Sequence, residues 1–197
     1  MFLPVTSSAV VSIVAAAALF MGHVGPEKAA KPAGLAKGEL AFVMTEPRVQ
    51  EHPAMHVVWV STKSKLAGGR IAKDVGSLMA KLTPEVMAAV RPLSGPVIIY
   101  EGNTGEPDTE FTVKLAVPVA AGTAAPAGFE SAELPAYRAY TLVFSGPVSH
   151  LGKAYGMAYE RLFQDGKFPE GSSREHVLYW EGDESPNNVS VIQIGIQ

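Results

Sequence analysis

The sequence predicts an α+β fold: one antiparallel sheet of about eight strands with two principal helices on one face, made by two tandem halves that meet at a pseudo-twofold cleft. Three observations carry this. Segments recur about 80 positions apart. Within each half the hydrophobic period changes from two to 3.6 and back to two, in the same order. Finally, each half has one principal helix for four strands, so the helices cover only one face of a shared sheet.

The repeat is read from its echoes. Pro53-Ala54-Met55-His56 returns as Pro135-Ala136-Tyr137-Arg138, 82 positions later. Val97-Ile98-Ile99-Tyr100-Glu101-Gly102-Asn103 returns as Val177-Leu178-Tyr179-Trp180-Glu181-Gly182-Asp183, 80 positions later. A period this long denotes duplicated modules rather than a solenoid of short repeats.

Taken in order, residues 40–49 and 54–61 are β-type runs interrupted by Glu51-His52-Pro53. Ile71, Val75, Leu78, Met79 and Leu82 recur at helical spacing, and a second short apolar stretch follows Pro84 up to Val90. Strands over 96–101 and 109–118 close the first half, joined by a polar turn from Gly102 to Pro107. The second half predicts strands near 128–134 and 136–144, a helix over 147–164 stopped at Gly166, and strands near 175–182 and 188–196. Val148, Leu151, Tyr155, Tyr159, Leu162 and Phe163 mark the inner stripe of that helix.

The domain organisation follows. Residues 9–21, AVVSIVAAAALFM, have Ser12 as their one polar member, a length suited to the apolar core of an export signal and short of the roughly 20 residues of a membrane span. Residues 1–25 are therefore expected to be a signal-like or anchoring segment that exports or tethers the protein; the alternative is a cytoplasmic protein whose N-terminus packs on the domain. Residues 26–38 read as a Pro-, Gly- and Lys-containing linker, and 39–197 as the folded domain, with repeat one at 39–119 and repeat two at 128–197. Hydrophobic residues at 47% against 18% charged support a packed core and exclude global disorder. A net charge of −3 argues against a nucleic-acid partner. With no cysteine in the chain, disulfides, thiolate metal sites and cysteine nucleophiles are excluded.

The chemistry-bearing residues concentrate near one strand. Alternation over 175–181 places Glu175, Val177, Tyr179 and Glu181 on one face, aromatic and acidic, with His176, Leu178 and Trp180 on the other. A carboxylate beside an aromatic ring suits an amphipathic or cationic organic ligand, since the ring face attracts the cation as well. Tyr100 and Glu101 from the first half, and Trp59, Tyr137, Tyr140, Tyr155 and Tyr159, are further candidate lining residues alongside Tyr179, Trp180 and Glu181. His52 and His56 flank Pro53 in a strand, which prevents a helical zinc pair, so neither a metal nor a cofactor is expected.

Leu134-Pro135-Ala136, Gly146-Pro147, a helix carrying Ala154-Tyr155 and Tyr159, and Arg174-Glu175 leading into Tyr179 occur in an order that resembles the GyrI-like small-molecule-binding family, the AraC-type effector-binding domains. Gly95-Pro96 with Tyr100, and Asp108-Thr109-Glu110-Phe111 leading to Val117-Pro118-Val119, fit the same pattern. The resemblance implies two βαββ modules that bind small organic molecules, often lipophilic cations, in the cleft between them. With the first 38 residues apolar or linker-like, no DNA-binding domain is expected. The family's acidic position two residues before the strand tyrosine is Val177 here, flanked by Glu175 and Glu181, so either acid is a candidate for the cleft. The resemblance implies two alternatives to simple binding. One is hydrolysis of a cyclopropyl-type or other strained electrophile by Tyr179 with Glu181 or Glu175; the other, more remote, is haem carriage of the SOUL kind.

Overall fold

Nine strands in one antiparallel sheet carry three helices in the computed structural model, which describes residues 42–197. The expected signal-like segment and the linker at 26–38 lie outside the described residues. Among the described residues, no helix is long and apolar enough to cross a membrane.

The elements are β1 (Val43–Met44), β2 (Arg48–His52), β3 (Met55–Ser64), α1 (Arg70–Met79), α2 (Pro84–Val90), β4 (Val97–Glu101), β5 (Phe111–Pro118), β6 (Glu130–Leu134), β7 (Tyr137–Ser145), α3 (Leu151–Gln164), β8 (Pro169–Tyr179) and β9 (Val189–Ile196). The sheet order is β1-β7-β9-β8-β4-β5-β3-β6, with β2 also on β7. The central run β7-β9-β8 is thus repeated in mirror order as β4-β5-β3, and β4 pairs with β8 where the halves join.

A second junction joins the opposite ends. The register that pairs Arg48 with Thr141 and His52 with Tyr137 resumes, past Pro53-Ala54 and Pro135-Ala136, as Met55 with Leu134 and Trp59 with Glu130. Strands β2–β3 and β6–β7 are therefore two long ribbons, each broken once at a Pro-Ala step, crossing as one ladder. Proline removes a ladder donor and fixes φ, which explains the break at that step. The sheet is closed on itself by this ladder, leaving a face toward the helices and an inner face away from them.

With the two Pro-Ala breaks superposed, Met55 corresponds to Tyr137, 82 positions on, as the sequence echo predicts. The second echo is corrected. Through the β3–β5 and β7–β9 registers, Val57 opposite Pro118 corresponds to Ala139 opposite Gly195, so β4 maps onto β8 with an offset of 77, not 80. Glu101 and Glu181 are not equivalent. Ile98 corresponds to Glu175, and these two are also direct ladder partners, so the pseudo-twofold axis passes between them.

Both longer helices pack on one face, as predicted. Ile71, Ala72, Val75 and Leu78 of α1 bury against Ile98, Tyr100, Val113 and Leu115, while Leu151, Ala154, Tyr155, Ala158 and Leu162 of α3 bury against Tyr140, Leu142, Phe144, Ile192 and Ile194. Each large apolar side chain buried there contributes about 1.5–3 kcal/mol. A 3-10 turn over Val148–His150 occupies the start of the predicted 147–164 helix, and Gly166, at φ 67°, ends α3 with Lys167 N–H donating to Leu162 and Gly166 N–H to Phe163. The short α2 starts at Pro84, with the Thr83 hydroxyl accepting from Val86 N–H.

Strand β8 departs from its prediction at both ends. It begins at Pro169, where Glu170 and neighbouring polar residues give no apolar signal, and ends at Tyr179. A register irregularity between Val177 and Tyr179 breaks the alternation, so Tyr179 and Glu181 do not share the buried face of Glu175 and Val177.

Gly95 lies against this irregularity: a Cβ there would fall inside contact distance of the Val177 carbonyl oxygen, whose residue also donates its N–H to Pro96 O at 2.9 Å. Backbone cannot yield as a side chain tip does. Gly95→Ala is expected to lower unfolding stability by about 3 kcal/mol, read from the urea midpoint.

Candidate functional site

Glu175 sits on the pseudo-twofold axis with its side chain on the helix face, 2% exposed. Its Oε1 accepts from the Ser190 hydroxyl at 3.0 Å, and Oε2 is buried without a partner. Nearby, the Tyr155 hydroxyl is buried and equally unpartnered. Burial pushes the Glu175 carboxyl up to about 7, against the opposing hydrogen bond from Ser190. Tyr100 and Tyr155 are raised well above the usual phenol range by burial first and then by the charge of Glu175, so both stay neutral and present ring faces and O–H groups. Burial also pushes Tyr159 up to about 12.

Local sequence explains the cluster. Strand alternation on β4 puts Ile98 and Tyr100 on the helix face, and directly opposite residues of a ladder share a face, so Glu175 and Ser173 join them. On α3, Tyr155 and Tyr159 are one helical turn apart on the inner stripe. A cavity of about 270 Å³ opens one pleat from Glu175, lined by Tyr100, Tyr159, Ser173, Ile194 and the Pro169–Ser172 segment.

Of the predicted residues, Tyr100, Tyr155, Tyr159 and Glu175 come together here. The others are placed elsewhere. Tyr140 is on the helix face but packed in the α3 core, its hydroxyl donating to Asp165 at 2.6 Å. Trp59 and Glu101 lie on the inner face, with the Lys114 ammonium 4.5 Å from the Trp59 ring centre and 2.8 Å from Glu101. Tyr137 carries Arg174 on its ring from that face, but its hydroxyl donates to the Ser172 carbonyl at the cavity wall, near enough to act on Tyr155 and Tyr159. Trp180 packs at the margin of the α1 core.

Tyr179 and Glu181 form an exposed turn network. The Tyr179 hydroxyl donates to Glu181 at 2.5 Å, and Ser185 and Asn187 donate to the other carboxylate oxygen. These donors hold the Glu181 carboxyl below its usual range.

Sequence reasoning did not single out Ser190, Ser173 or Ile98. Ser190 had a signal: it continues the Ile192, Ile194, Ile196 alternation as the one polar member of a buried stripe.

Two pseudo-symmetric halves thus share one sheet, with a buried acid and tyrosines where they meet. The chain belongs to the GyrI-like small molecule binding domain family, which it matches over residues 45–197. Among solved structures, the C-terminal domain of EcmrR is similar at a TM-score of 0.59 and 18% identity, over 80% of this chain and 99% of that one. SAV2435 bound to tetraphenylphosphonium is similar at 0.57 and 13%, over 78% and 94%. An integron cassette protein from the mobile metagenome of Vibrio cholerae is similar at 0.56 and 11%, over 79% and 99%. At these identities the likeness is one of fold. No functionally curated protein matches the sequence.

Proposed function

We propose that the protein binds a lipophilic organic cation in the cleft between α1, α3 and the β4–β8 junction, with Glu175 as counter-ion. The observation that carries this is the buried carboxyl oxygen with no partner, beside two buried tyrosines. A buried acid without a compensating charge is costly, and a cation placed against it converts that cost into affinity. The tyrosine faces add quadrupole attraction of about 0.5–2 kcal/mol each when water is excluded. That SAV2435, alike in fold, was solved with tetraphenylphosphonium supports the ligand class. The cavity lining does not include Glu175 itself, so a bulky cation reaches the acid by displacing the Tyr155–Tyr159 turn of α3.

Calorimetric titration with tetraphenylphosphonium tests the proposal. One saturable site per chain is expected, with a neutral analogue of the same size, triphenylphosphine oxide, binding at least about tenfold more weakly. Equal affinity for both, or no saturation, would sink it. Glu181→Gln, in the exposed turn, is expected to leave the affinity within about twofold, because a screened carboxylate already held by three side chains contributes little to a distant cation.

A second reading rests on the same carboxyl. Held near 7, Glu175 is in the range of a general base, and with the Tyr155 hydroxyl as proton donor it would direct water onto a strained cyclopropyl-type electrophile. Product formation that disappears in both Glu175→Gln and Tyr155→Phe would establish turnover; stoichiometric binding without product would exclude it.

A further inference from the structure

The inner face of the sheet, away from the helices, breaks the pseudo-symmetry in one respect. Its first-module half is an apolar cluster of Val57, Val97, Ile99 and Ala116, with Trp59 and Leu134 packed against it. The pseudo-symmetric positions in the second module are mostly polar, the exception being Ala139, the counterpart of Val57. Arg174 stands where the first half has Val97, and Gln193 where it has Ala116. Thr141 likewise replaces Trp59, and His52 replaces Leu134. Packing alone offers no reason for this, since the apolar half shows what fills such a space.

Arg174 is the centre of the polar half. It is 5% exposed, and its Nε and Nη1 are buried with no hydrogen-bond partner. Its guanidinium carbon lies 3.7 Å from the centre of the Tyr137 ring, which fixes the plane and leaves the N–H edges free. Gln193 is its direct ladder partner on the same face and is 4% exposed. Among the described residues, no surrounding carboxylate is hydrogen-bonded to the guanidinium, although burial destabilises its charge and the charge of Glu101 acts on it from a distance. His52 is bonded to the Thr141 hydroxyl at 2.8 Å and His176 to the Ser94 hydroxyl at 3.0 Å. Burial, followed by the Arg174 charge, holds His52 below the usual imidazole range. Of the carboxylates on this face, Glu101 is engaged by Lys114 at 2.8 Å, and Glu130 lies exposed opposite Trp59 in the other half.

We infer that this half of the inner face is a second binding site, for an organic carboxylate: Arg174 anchors the carboxylate, Gln193 donates a further hydrogen bond, and the apolar body of the acid lies toward Ile99, the ladder neighbour of Arg174 on its other side. A guanidinium buried without an acceptor is completed by a planar two-oxygen anion, to which its fork geometry is matched. The apolar half next to it favours an acid with a hydrocarbon or aromatic body over a bare inorganic ion. This site stands on the opposite face of the sheet from Glu175 and does not depend on the cation reading.

Titration of the full chain with benzoate, benzamide and inorganic phosphate tests it. Benzoate is expected to saturate one site per chain, and benzamide and phosphate to bind at least about tenfold more weakly. Tetraphenylphosphonium at saturation should leave the benzoate isotherm unchanged. Arg174→Val, which copies the first-module residue, should fold with an unfolding midpoint no lower than wild type and lose benzoate binding. Arg174→Lys, keeping the charge without the fork, should weaken benzoate at least about tenfold, and it decides the question if Arg174→Val fails to fold. No benzoate saturation in the wild-type protein, phosphate binding as tight as benzoate, or unchanged affinity in Arg174→Lys would each overturn the assignment.

Discussion

Glu175→Gln is expected to weaken tetraphenylphosphonium binding at pH 8 by at least about 30-fold, because removing one member of a buried charge pair costs about 2–5 kcal/mol. The wild-type protein should also show a pH profile of its own. With the carboxyl held up to about 7, it is mostly protonated at pH 6 and mostly ionised at pH 8. The cation selects the ionised form, so its apparent affinity should rise roughly tenfold between those two values. In Glu175→Gln the profile should be flat. A wild-type affinity that does not change with pH, or a Gln variant that binds as tightly, would remove Glu175 from the site.

The same carboxyl should make the fold less stable as pH rises. Burial raises its folded-state value from the ordinary 4.5 to about 7. Below the lower value both states are protonated and nothing is lost. Between the two, the unfolded chain releases its proton while the native state keeps it, so ionisation favours unfolding. Each pH unit in that window costs about 1.4 kcal/mol, and the total by pH 8 is about 3 kcal/mol. Unfolding free energies from urea titrations at pH 5 and pH 8 measure it. Since part of the loss has already occurred at pH 5, the difference between them should be smaller by about 2.5 kcal/mol in Glu175→Gln than in the wild-type protein. Saturating tetraphenylphosphonium should restore much of the loss at pH 8, since it binds the ionised native state.

The layered α+β architecture was legible because it depends on periodicity. Ile71, Val75 and Leu78 repeat at helical spacing, and Phe111, Val113, Leu115 and Val117 alternate, whatever their partners. Register was less legible. The Pro-Ala echo survives because proline interrupts a ladder at the same place in both halves. The Glu-Gly echo arises in turns that follow different strand lengths, and it aligns residues that the hydrogen-bonded ladders keep apart. Tyr100, Tyr155 and Tyr159 were identifiable as aromatic members of buried stripes. Tyr179 and Glu181 read as their partners through strand alternation, but one irregularity after Val177 reverses which side chains face inward, and no residue there announces it. Arg174 was passed over as a motif residue, since its meaning lies in what stands opposite and in what fills the equivalent place in the other half.

The ladder that links Arg48–Trp59 to Glu130–Thr141 gives the duplication a further consequence. Each half lends its leading strand to the edge of the other, so neither copy is a self-sufficient folding unit. Contacts between residues some ninety positions apart must form before either edge is covered, which places the rate-limiting search at the level of the whole chain. A cut in the connection between the halves would yield two fragments that complement each other, not two miniature domains.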